Sequence, residues 1–113
     1  MEKTILIGTI EVPMKATANT PKRYRNYFNK DLIIEMQRLY NHLNMETGAF
    51  EGDANLEVIE NLAYVMARQA NEEIGTQEEW LDQFGTVDIY NAMADIVNVW
   101  TASTETLSKA KKK

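Results

Sequence analysis

Polar and apolar residues alternate near the start of the chain. Ile10, Val12, Met14 and Ala16 are interleaved with Glu11, Pro13, Lys15 and Thr17, the period of two expected of a half-buried strand. Ile5 and Ile7 supply a shorter partner strand, and Gly8-Thr9 between them brings the glycine that a tight turn needs. This predicts a β-hairpin over residues 3–17. Pro13 has no N–H to give to a ladder, so its strand is expected at an edge or bulged. A lone hairpin is marginally stable and must lean on other elements.

From Asn19 onward the spacing becomes helical. Thr20-Pro21 reads as an N-cap followed by proline at the first helical position, opening a short helix with Tyr24, Tyr27 and Phe28 on one side. Asn29 is expected to cap the next helix, with Asp31 in its first turn. There Leu32, Met36, Leu39 and Leu43 form an apolar stripe. Residues 44–55 read as a loop with Gly48, Gly52 and Asp53 as turn residues. Leu56, Ile59, Ala63, Met66 and Ala70 then mark one face of a helix that Gly75 is expected to stop. Thr76-Gln77-Glu78-Glu79 has capping-box spacing and opens a short helix bearing Trp80, Leu81 and Phe84, closed by Gly85. Ile89, Met93, Ile96 and Trp100 give a final helix. The pattern fades from Thr101, so 101–113 is expected to be a frayed basic tail.

The fold class that follows is α+β, mostly α: one domain over 1–100, with the hairpin preceding a helical body over 20–100, a compact bundle of about five helices. A chain of 113 residues suits one domain and buries enough surface to fold without a staple. It contains no cysteine, which removes disulfides and thiolate chemistry together. Ile5-Leu6-Ile7 falls short of the ~7–15 apolar residues of a signal peptide, and no stretch reaches the ~20 needed to span a membrane. The expectation is a soluble, cytoplasmic protein.

Candidate chemistry is sparse. There is no Gly-rich phosphate loop and no Gly-x-Ser-x-Gly elbow. His42 is the sole histidine, and a surface or packing role is favoured over catalysis. Without a second histidine or any cysteine, zinc is not expected. Glu46, Glu51 and Asp53 lack EF-hand order, so a solvated turn is the better reading than a calcium site. No enzyme and no cofactor are expected. The net charge is −5, from 17 acidic residues against 12 Lys and Arg, which repels phosphate. Basic residues nevertheless crowd at Lys15, Lys22, Arg23, Arg25 and Lys30, interleaved with Tyr24 and Tyr27. That arrangement can bind single-stranded nucleic acid by charge and stacking, so a small nucleic-acid-associated regulator using 22–30 stands as the disfavoured alternative. Trp80, Phe84 and Trp100 have two readings, core packing and a partner-binding face, since tryptophan is enriched at interface hot spots.

The segment Ala16-Thr17-Ala18-Asn19-Thr20-Pro21-Lys22-Arg23-Tyr24-Arg25-Asn26-Tyr27-Phe28-Asn29-Lys30-Asp31-Leu32 resembles the small tail assembly chaperones of long-tailed phages and prophages of Gram-positive bacteria. The likeness is sharp over Lys15 to Leu32, carried by Lys15, Thr17, Pro21, Arg23, Tyr24, Arg25, Phe28 and Asp31, and loose elsewhere. The resemblance implies a bacterial cytoplasmic protein, outside the mature virion, that binds the long helical tape measure protein and keeps it soluble. Tail tube protein then polymerises around the tape measure and displaces it. It also implies self-association. A longer product made by ribosomal frameshift is a family trait that the closing Lys109-Ala110-Lys111-Lys112-Lys113 run would suit. Six methionines fit an adaptable apolar surface for such a partner.

Overall fold

The structure, a computed structural model, describes residues 1–42, 44, 46–47, 51–52 and 55–111, with 105–111 described by backbone alone. Leu43, Gly48, Asp53, Lys112 and Lys113 of the sequence reading lie outside the described residues. Among the described residues two antiparallel strands, β1 (Glu2–Ile7) and β2 (Ile10–Lys15), precede six helices: α1 (Thr20–Phe28), α2 (Leu32–Tyr40), α3 (Glu57–Ala70), α4 (Gln77–Leu81), α5 (Asp88–Asn91) and α6 (Met93–Lys111). The α+β, mostly α class holds.

The hairpin register runs unbroken from Glu2↔Lys15 to Ile7↔Ile10. Pro13 sits opposite Thr4 without a bulge, which costs little because in a two-stranded sheet each strand has an open edge. Ile5, Ile7, Val12, Met14 and Ala16 are buried as the alternation requires. Gly8 takes φ +63 in the turn, and a Cβ there would stand 2.6 Å from Asp88 Oδ2. The positive φ therefore favours glycine, and a Cβ there would have to push the Asp88 carboxylate aside.

The capping assignments differ from the sequence reading. Thr20 is the first residue of α1 rather than its N-cap. Its buried hydroxyl accepts from Thr17 N (2.9 Å) and donates to Gln69 Oε1 (2.7 Å), so it is committed to a tertiary bond. Asn29 adopts φ +55 and closes α1, leaving Asp31 to cap α2 by accepting from Ile34 N (3.2 Å). Helix α3 ends at Ala70, before Gly75, because Asn71 turns extended and its side chain accepts from Glu73 N (3.0 Å). The Thr76/Glu79 capping box of α4 is present. Gly85 does not cap that helix: α4 stops at Leu81, and the Gly85 N–H donates to Asp88 Oδ2 (2.7 Å). The last expected helix is two, broken at Ala92.

Helix α3 is the centre of the molecule. β2, α1, α2, α5 and α6 all pack against it, and Val58, Ile59 and Asn61 to Ala67 are buried. The single apolar face read from the sequence is therefore too narrow, since Val58, Asn61, Tyr64 and Val65 are enclosed as well. Where the sequence pattern fades, the backbone of α6 continues helically past Trp100 to Lys111. No glycine or proline interrupts 101–111, and the Ser103 and Thr104 hydroxyls donate back to the Trp100 and Thr101 carbonyls (2.6 and 2.8 Å). Among the described residues no helix is long and apolar enough to cross a membrane.

Candidate partner-binding groove

Trp80, Phe84 and Trp100 do not share a face. Trp80 is 3% exposed and belongs to a run of ring contacts: Tyr24 to Phe28 (5.0 Å), Phe28 to Tyr27 (6.1 Å), Tyr27 to Tyr64 (5.9 Å), Tyr64 to Trp80 (5.8 Å) and Trp80 to Phe84 (5.0 Å). These edge-on and tilted pairs stitch α1 to α3 and α4. Trp80 is therefore a core residue with no surface to offer a partner, and Phe84 is half-buried beside it. Trp100 is 6% exposed, but its accessible edge lines a groove, and there the motif segment meets it.

One wall of that groove is Ala16, Thr17, Ala18 and Pro21; the other is Trp100, Ser103 and Thr104 of α6, and Met1 also lines it. Its volume is about 460 Å³, within the ~300–1,000 Å³ range of binding clefts. The wall is apolar because its polar atoms are already used. Thr17 Oγ1 accepts from Asn19 N (3.1 Å) and Gln69 Nε2 (2.7 Å), and Thr17 O accepts from Thr20 N (3.0 Å). Met1 and Ala16 exchange backbone bonds of 2.9 and 3.1 Å. The Ser103 and Thr104 hydroxyls turn back onto their own helix. What faces the groove is alanine, proline ring, methyl groups and indole edge.

Comparison with family models, with curated proteins and with solved structures finds no match.

The rest of the motif does structural work around this groove. Lys15 ends β2 opposite Glu2. Tyr24 is fully buried and its phenol reaches Glu35 (3.5 Å); burial pushes its pKa up to about 12. Phe28 packs on Tyr24, Asp31 caps α2, and Arg25 is exposed. Arg23 reaches across to Glu72 and also donates to Tyr27 OH (3.2 Å). Arg68 stands 5.8 Å from the Tyr27 ring centroid and Arg23 stands 5.9 Å from it. The Arg23 hydrogen bond holds the Glu72 carboxyl below the usual range, slight desolvation notwithstanding. Arg68 also ties down the α3–α4 turn by donating to Tyr64 OH and Gly75 O (both 2.9 Å). Tyr24 is thus inside, while Tyr27 stays 40% exposed with two guanidinium groups near its ring.

Gln69 and Arg68 are not singled out in the sequence reading, and Glu72, which reads there as part of a solvated helix face, pairs with Arg23 and Arg68. Arg68 and Glu72 are an i,i+4 pair (3.5 Å) and were discoverable as such; nothing in the sequence marks Gln69 as the anchor of residues 17–20. His42 is half-buried beside a separate cavity of about 250 Å³ lined also by Glu35, Arg38 and Asn55. Among the described residues no cluster of three or more His, Cys, Asp or Glu could hold a metal ion.

Proposed function

We propose that this protein is a holding protein, a phage tail assembly chaperone that captures its long helical client, the tape measure protein, through the groove between residues 16–21 and α6. The observation that carries the reading is the convergence, on one apolar trough, of the start of the family-like motif with Trp100. An apolar helix in search of a partner is stabilised by laying its side chains into such a trough. A groove of this size accepts a few side chains, so a long client would be covered by many copies, each bound weakly and easily displaced by polymerising tail tube subunits. The protein acts in the bacterial cytoplasm, without catalysis, and leaves before the virion is complete.

Co-expression tests this. With the tape measure protein as client, the soluble fraction of the client is expected to rise when this chain is present. Ala18 is exposed on the groove wall, so Ala18→Glu should block the trough without disturbing the core. A client that stays insoluble with the wild-type chain, or is held equally well by A18E, defeats the proposal.

A further inference from the structure

We propose that the groove's occupant is an acidic amphipathic helix, one whose apolar stripe is flanked by carboxylates; this rests on the holding function proposed above and specifies the client's chemistry.

The argument is one of unmatched charge. The protein carries a net −5, yet α1 contains Lys22, Arg23 and Arg25 and no carboxylate. Arg23 is spent on Glu72, and the neighbouring Lys30 pairs with Glu57 at 3.5 Å. Lys22 and Arg25 are exposed and make no ion pair among the described residues. Their positions relative to the groove matter more than their number. Pro21 is the α1 residue that lines the trough; Arg25 lies four residues on, one turn along the same flank of the helix, and Lys22 is its neighbour. The α1 rim of an apolar trough is therefore cationic, while the residues described on the α6 wall are uncharged. A helix seated there gains from carboxylates along its flank and loses from lysines in the same places.

Nucleic acid would meet the same cations but little else. Phosphates need donors, and the Ser103 and Thr104 hydroxyls that line the groove are turned inward. Bases need exposed rings, and of the tyrosines of α1 Tyr24 is buried, while Tyr27 is 40% exposed and is flanked by the Arg23 and Arg68 guanidinium groups.

The test uses the full chain and two labelled peptides of about five helical turns, identical in their leucine stripe, one flanked by glutamates and one by lysines. Fluorescence anisotropy is expected to show the glutamate peptide binding about tenfold more tightly. In the double variant Lys22→Glu/Arg25→Glu, with folding checked by circular dichroism, the order of the two peptides should reverse. Equal binding, or preference for the lysine peptide, overturns the acidic-partner inference while leaving the groove in place. Capture of neither peptide overturns it too, and the co-expression assay then tells whether the holding function falls with it. A single-stranded dT oligonucleotide that binds more tightly than the glutamate peptide, and competes with it, overturns the inference in favour of nucleic acid.

Discussion

Replacing Gln69 with alanine removes a side chain that ties the groove wall to the central helix. Its amide donates to Thr17 Oγ1 and accepts from Thr20 Oγ1, both at 2.7 Å. A made hydrogen bond is worth a net ~1 kcal/mol, and a buried donor left without a partner costs ~1–3 kcal/mol. Thr20 is fully enclosed, so its hydroxyl proton is stranded, whereas Thr17 is half-buried and keeps its bond from Asn19 N. The expected loss is about 2–3 kcal/mol. With a urea slope of ~1–3 kcal/mol/M for a small domain, the unfolding midpoint should fall by roughly 1–2 M. Thr20→Val deletes the same bond from the other side. In a double-mutant cycle, the pair should cost less than the sum by about 1 kcal/mol or more. Urea unfolding followed by far-ultraviolet circular dichroism measures all four proteins. Strict additivity, or a Gln69→Ala loss under ~0.5 kcal/mol, would refute the clasp.

Other consequences are equally open to measurement. Trp80→Ala should cost about 3–5 kcal/mol and abolish cooperative melting, whereas A18E should leave the melting temperature nearly unchanged; the opposite ranking would place Trp80 at the surface. Gly8→Ala should destabilise by about 1–3 kcal/mol, through its positive φ and the clash with Asp88. Adding Asp88→Ala should recover part of that loss, and a calorimetric scan showing no recovery would remove the steric half of the explanation. The Glu72 and Glu79 carboxyls are both held below their ordinary 4.5, Glu72 chiefly by Arg23 and Glu79 by the Thr76 backbone N–H. Their folded-state pKa values are depressed, so their contribution is present above the unfolded value and is lost as pH falls through the folded one. Stability should thus decline as pH drops below about 4.5, and Glu72→Gln should flatten that decline; an unchanged acid profile would show that the Arg23 contact is unimportant in solution.

How far the sequence could be read depended on whether a feature was settled locally. The hairpin was legible because its alternation, its turn glycine and its burial all lie within 17 consecutive residues. The Thr76–Glu79 capping box was legible for the same reason. Thr20 was misread as a cap because its hydroxyl goes to Gln69, a choice fixed 49 residues away. The enclosure of α3 is likewise a tertiary fact, since its sequence shows amphipathic spacing while every side of it is packed. In the candidate site, the 16–21 wall and Trp100 were each visible in sequence. Their meeting was not, because the apolar pattern of the sequence fades just where Ser103 and Thr104 come to line the groove opposite that wall. Trp80 and Trp100 look alike as letters; neighbouring rings decide that one is interior and the other edges a groove.

Helix α3 also bears on how the chain is made. Residues 1–42 include a hairpin and two short helices whose inner surfaces meet chiefly on a helix beginning at Glu57. Until the ribosome has delivered that helix, the earlier elements have nothing durable to rest on, and their exposed rings and isoleucines are open to misassociation. Assembly is therefore gated by the middle of the polypeptide: a nascent chain halted before Ala70 should be readily digested by protease, whereas the full chain should resist.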